Sequence, residues 1–101
     1  MIFQIKDRNG KLIHLSKERY KHILRHPHMH EQLENIKLTI QKPTTIRCYE
    51  EDEKVMFYYR EFKNNQPEEK YLLVSVKYLN GEGFVITSFY TNKISGAKWK
   101  I

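Results

Sequence analysis

Cysteine occurs once in this chain, at Cys48, tryptophan once, proline three times and glycine four times. A lone cysteine excludes an intramolecular disulfide and a cysteine-built zinc cluster within one chain, and it fits a reducing compartment, so a cytoplasmic location is expected. The scarcity of proline and glycine excludes collagen-like and low-complexity sequence, and no segment repeats another. Long hydrophobic runs are missing too. Nothing approaches the roughly 20 apolar residues that span a bilayer, and the stretch Met1–Lys6 meets a charge too early for a secretory leader. No membrane partner is expected.

Aromatic residues are abundant instead: seven tyrosines and five phenylalanines stand against a charged fraction of 30%. Apolar residues in periodic blocks, with that much ring surface to bury, favour a folded chain over disorder despite the charge. The length suits one core, so a single domain over 1–101 is expected, with looser structure confined to one polar loop and the C-terminus. The net charge of +6 at pH 7 steers the chain toward polyanions, nucleic acids above all. Basicity by itself also occurs in proteins that bind no such partner.

Two short apolar stretches, Ile2–Ile5 and Leu12–Leu15, flank Asp7–Gly10, and a turn ending in Asn9-Gly10 predicts a β-hairpin. Ser16 sits where a helix N-cap belongs, and Glu18 suits the first turn, so a helix from about Lys17 to Arg25 follows. Pro27 turns His26 away from helical geometry and fits the first turn of a second helix. In that helix Met29, Leu33, Ile36 and Ile40 form an apolar stripe that runs to about Gln41, before Pro43. His28 and His30 then read as exposed first-turn residues. Strand-sized pieces follow at Thr45–Tyr49, Val55–Arg60, Tyr71–Tyr78 and Phe84–Tyr90, with the longest polar loop at Glu61–Glu69. The expected architecture is α+β: an N-terminal β-hairpin and two helices packed on one face of a four-stranded antiparallel sheet, whose other face is free.

The densest chemical signal is His22–His26. Positions three and four apart share a helix face, which brings Arg19, His22, Arg25 and His26 together. An imidazole titrates near neutrality and can take or give a proton, while a guanidinium holds a phosphate and its developing charge. The plain alternative is an exposed basic helix face. Four histidines between His22 and His30 also suggest zinc, but the pattern lacks a His-Glu-x-x-His motif and places Arg25 among the ligands, so no metal or other cofactor is expected. His14 reads as a strand residue at the sheet margin. By alternation Leu72, Val74, Val76 and Tyr78 share one side of their strand, leaving Ser75 and Lys77 on the other, where Lys77 serves either as a phosphate clamp or as a snorkelling cation. Thr87, Ser88, Tyr90 and Thr91 give the last strand a run of hydroxyls able to reach phosphate oxygens, or simply residues of high strand propensity. Tyr58, Tyr59 and Arg60 offer rings and a cation for a base or a backbone, although one of the two tyrosines must face the core.

Taken in order, His22–Pro27, Tyr58–Arg60, Lys77 and Val85–Tyr90 resemble the phage and prokaryotic branch of the barnase–EndoU–colicin–RelE group of nucleases, over roughly residues 12 to 95. The resemblance implies N-terminal helices with a four-stranded antiparallel sheet, and metal-independent cleavage of RNA in which the ribose 2′-hydroxyl attacks the adjacent phosphate and leaves a cyclic phosphate. It implies His22 as acid or base, Arg25 as the phosphate-binding cation, Thr87 or Ser88 as the hydroxyl of the last strand, and His26 as a second proton-transfer group or a corner residue. Lys77 matches no position of the group firmly.

The leading expectation is therefore an endoribonuclease, a toxin or processing enzyme. His22, Arg25, His26 and Thr87 would be its reacting groups, and Arg19, Tyr59, Arg60, Lys77, Ser88 and Tyr90 would hold the substrate. RNA, tRNA included, is the expected partner, together with a cognate inhibitor or antitoxin protein. Two other readings compete: a non-catalytic RNA- or protein-binding module of the same fold, and a partner-bound antitoxin-type or structural subunit. Oligomeric state is left open.

Overall fold

The computed structural model describes residues 1–95 and the backbone of Ala97 and Lys98. The expected loosening of the extreme C-terminus lies outside the described residues. The chain forms β1 (Phe3–Lys6), β2 (Leu12–Leu15), α1 (Lys17–Ile23), α2 (Leu33–Gln41), β3 (Thr45–Tyr49), β4 (Asp52–Glu61), a 3₁₀ turn (Pro67–Glu69), β5 (Tyr71–Leu79), β6 (Glu82–Thr91) and a short β7 (Ala97–Lys98). The class is α+β, as expected.

Local chemistry explains most of these elements. Asp7 builds the first hairpin turn: its carboxylate accepts from the backbone of Asn9 and Lys11, and Gly10 takes the φ of 82° that a side chain would resist. The Asn80-Gly81 pair closes β5 onto β6 with two left-handed residues, φ 54° and 81°, the geometry of a two-residue hairpin. Ser16 caps α1 by accepting from the Arg19 backbone at 3.2 Å. The helix then tightens, with Arg25 and His26 donating three residues back to His22 and Ile23, and ends.

The sheet has seven strands where four were expected, extended at one edge by the N-terminal hairpin and at the other by β7 on β3. Its order is β1-β2-β6-β5-β4-β3-β7 and it is mixed. The four strands β3 to β6 pair antiparallel in sequence order, but the N-terminal hairpin is no separate layer. It joins the sheet through a parallel pairing of β2 with β6, Ile13 opposite Gly83 and His14 opposite Phe84. Gly83 makes that junction possible, since a Cβ there would lie 2.4 Å from Ile13 Cδ1 and 2.9 Å from Val76 Cγ1.

The second helix also starts later than expected. His28 and Glu31 have φ of 64° and 60°, so His28–Gln32 is coiled, and neither His28 nor His30 lies in a first turn. Met29 is nonetheless fully buried, inserted from this coil into the core. Both helices pack on one face of the sheet, where Ile23, Ile36 and Ile40 meet Tyr58, Leu72, Val74, Val76 and Val85. Each such side chain removed from water contributes about 1.5–3 kcal/mol, offset largely by the entropy of ordering the chain.

Candidate active site

Antiparallel partners point to the same side of a sheet, so the register sorts the side chains of β4, β5 and β6. Val76 faces Val85, and Val74 faces Ser88, on the helix side; Lys77 faces Phe84, and Ser75 faces Thr87, on the other. Between these pairs β6 carries one extra residue, Ile86, a bulge that shifts the register. Unbroken alternation would send Phe84 and Thr87 to opposite faces. The bulge instead places Phe84, Thr87 and Phe89 together on the face away from the helices.

Because β2 pairs with β6 only at Gly83 and Phe84, the rest of that edge has no strand beside it among the described residues, and α1 packs against β6. The corner after α1 reaches round to the face away from the helices. His26 Nε2 lies 3.3 Å from Thr87 Oγ1, and its ring rests 5.2 Å from that of Phe89. The His22 ring stands edge-on to His26 at 5.6 Å. When His26 Nε2 is unprotonated the Thr87 hydroxyl donates to it, and when protonated the ring N–H donates to the hydroxyl oxygen. His26 thus lies between the Thr87 hydroxyl and the His22 imidazole.

Next to Thr87 along β6 is a hollow of about 360 Å³ whose lining includes Arg19, Lys77, Phe84, His14 and Ile86. Lys77 and Thr87 are diagonal neighbours across β5 and β6, roughly 7 Å apart by strand geometry. The Lys77 ammonium contacts Asp52 at 3.1 Å. The carboxyl of Asp52 sits below its ordinary pKa range, held there first by the Lys54 backbone N–H and then by Lys77. His14 is tightly held: its Nε2 lies 2.8 Å from Glu82 Oε1 and its Nδ1 3.0 Å from the Gln4 amide. With that amide donating, Nδ1 is the acceptor and Nε2 carries the proton that goes to Glu82.

Of the residues singled out in the sequence, His26 touches Thr87 and lies beside His22, while Arg19 and Lys77 line the neighbouring hollow. Arg25 falls in the turn beyond α1 and is exposed, and Arg19 supplies the guanidinium of the hollow. Four others are engaged elsewhere. Ser88 is fully buried on the helix side and donates to the Leu73 carbonyl at 2.7 Å. Tyr90 also faces the helices, donates to Gln32 at 2.5 Å, and has its phenol pKa raised chiefly by burial. Arg60 donates to the Lys42 carbonyl at 2.6 Å, tying β4 to the end of α2. Tyr59 does face away from the helices, but it is only 1% exposed and its hydroxyl accepts from the Ser95 backbone. A role for Ser88, Tyr90, Arg60 or Tyr59 in holding a substrate does not follow from these placements. His28 contacts Glu69, linking the corner to the 3₁₀ turn, and His30 is exposed.

Sequence reasoning passed over Phe84 and gave His14 no role. The bulge that brings Phe84 to this face leaves no mark in the local pattern of apolar residues. Among the described residues, no three His, Cys, Asp or Glu side chains converge in an arrangement that would hold a metal ion, and no helix is long and apolar enough to cross a membrane. Compared with protein-family models, curated proteins and solved structures, the chain matches none.

Proposed function

We propose that this protein is a metal-independent endoribonuclease of the nuclease type that the sequence resembles. The single observation that carries the reading is the series of contacts His22–His26–Thr87 next to a hollow that Arg19 and Lys77 line. Cleavage by transesterification needs two proton transfers and stabilisation of negative charge, and nothing more from the protein. The 2′-oxygen of a ribose bonds to the adjacent phosphorus while its proton passes to His22. The bond from phosphorus to the 5′-oxygen breaks, and His26, steadied by Thr87, gives that oxygen a proton. Arg19 and Lys77 hold the phosphate as charge builds on its non-bridging oxygens. The nuclease-type fold is part of the same proposal, supported by helices that precede an antiparallel run from β3 to β6. A cytoplasmic RNA substrate, tRNA among them, and a cognate inhibitor protein belong with it.

The test is incubation of the protein with total tRNA and with mixed-sequence single-stranded RNA in excess EDTA, beside His22→Ala and His26→Ala variants of matched thermal stability. Fragments ending in cyclic phosphate, lost in both variants, are the expected result. RNA that is bound but left intact would replace the enzyme with a non-catalytic binding module.

A further inference from the structure

Solvent-exposed large apolar side chains are few among the described residues, and three of them, Met1 at 64%, Leu79 at 39% and Phe84 at 41%, line the hollow together with Arg19 and Lys77. Apolar surface and cations side by side suit a ligand that is itself a flat apolar body carrying an anion. The Phe84 ring is also braced from behind. His14 stacks on it with centroids 5.1 Å apart and planes inclined by 19°, and the imidazole is pinned by Gln4 and Glu82. One face of the phenyl ring is thereby fixed, and its exposure leaves the other side for a ligand.

We propose that Phe84, backed by His14, is the stacking platform for one unpaired nucleobase of the RNA, next to the scissile phosphate. This inference rests on the ribonuclease reading and assigns that site its base-binding position. Stacking on an aromatic ring is open to any base whose face is free, which selects single-stranded or looped RNA over duplex. The register shift at Ile86 puts Phe84 on the same face as Thr87, about 7–10 Å along the strand. A base over Phe84 leaves its own backbone between Arg19 and Lys77 and the neighbouring phosphate toward His26. His14 acts as a positioning residue: it holds the phenyl ring and meets no reacting atom.

A short single-stranded oligonucleotide methylated at every 2′-oxygen has no attacking hydroxyl, so its binding can be measured apart from cleavage. Phe84→Ala is expected to weaken its affinity about tenfold, Phe84→Leu nearly as much, and Phe84→Trp little. Against oligonucleotides lacking a base at one position in turn, one abasic position should weaken wild-type binding and leave Phe84→Ala unaffected. Equal affinities across the four proteins, or no abasic position that removes the difference, would overturn the platform. Cleavage of unmodified RNA separates the two readings: if the wild-type protein cuts RNA and Phe84→Ala cuts it with unchanged KM, the platform fails and the ribonuclease stands. If the wild type neither binds nor cuts, both fail. Binding of the methylated oligonucleotide with the full Phe84 pattern, but no cleavage of RNA, removes the enzyme and the position next to a scissile phosphate, and leaves Phe84 as a base-binding residue of a non-catalytic module.

Discussion

Thr87 and His26 are 61 residues apart in the chain and their side chains meet at 3.3 Å. That contact joins the corner after α1 to the face of the sheet away from the helices, along the part of β6 that β2 does not pair. On the reading above, it sets the orientation of a ring that must deliver a proton.

Thr87→Val removes the hydroxyl and keeps the branched shape. The loss of one hydrogen bond of about 1–1.5 kcal/mol to His26 should lower kcat by roughly tenfold with little change in KM, and lower Tm by several degrees. His26→Ala should lower kcat far more, by about 10²–10⁴. Steady-state kinetics on one RNA substrate, with melting curves for each variant, checks the pair.

Lys77 shares its ammonium with Asp52 at 3.1 Å. Asp52→Asn should free the cation and tighten binding of a non-cleavable RNA, with a steeper dependence on salt. Lys77→Ala should do the opposite and reduce the slope of log K against log salt by about one. Fluorescence anisotropy over a salt series measures both, and identical slopes in the three proteins would remove Lys77 from the interface.

The same pair sets a sign for pH. Because the Asp52 carboxyl has its pKa lowered in the folded protein, by the Lys54 backbone N–H first and Lys77 next, the unfolded chain binds its proton more readily. Its contribution to stability is present above the unfolded carboxylate range and is lost as pH falls through the depressed folded value. Asp52→Asn should therefore show a shallower fall of Tm on the acid side than the wild type, with little difference in shape at neutral pH.

Gly83 is the junction between the N-terminal hairpin and the rest of the sheet. Gly83→Ala would press a methyl group against Ile13 and Val76, and overpacking of this kind should destabilise by about 1–3 kcal/mol. Urea denaturation gives the number. Since the junction also carries His14 and Phe84 into place, the variant should lose RNA affinity at temperatures where it is still folded.

A second internal support is the chain of hydroxyls from Tyr58 to Tyr78 to Asp7. Tyr58 and Tyr78 share a hydrogen bond of 2.5 Å, Tyr78 donates to the Asp7 carboxylate at 2.8 Å, and burial is the first cause holding both phenols above their ordinary pKa. Tyr78→Phe strips Asp7 of that donor and leaves Tyr58 without its partner, which should reduce stability by about 1–3 kcal/mol. Tyr58→Phe leaves the Tyr78–Asp7 bond intact and should be the milder change in the same denaturation series.

The sequence by itself determined whatever depends on neighbours along the chain. Ser16 as a cap, the Asn9-Gly10 and Asn80-Gly81 turns, the α2 stripe of Ile36 and Ile40, and the opposite faces of Val76 and Lys77 all follow from local dihedral preference and from periods of 3.6 and 2. His22 and His26 were legible for the same reason, as residues one helical turn apart. Tertiary structure decided the rest. Whether Thr87 or Ser88 faces away from the helices turns on the single bulged residue Ile86, which resets alternation and is fixed by pairing with β5. Whether Tyr59, Arg60 and Tyr90 are free turns on Ser95, Lys42 and Gln32, none of them near in sequence. The parallel joining of β2 to β6 was hidden as well, because a strand's own pattern records which of its faces is buried and carries no record of which strand lies beside it.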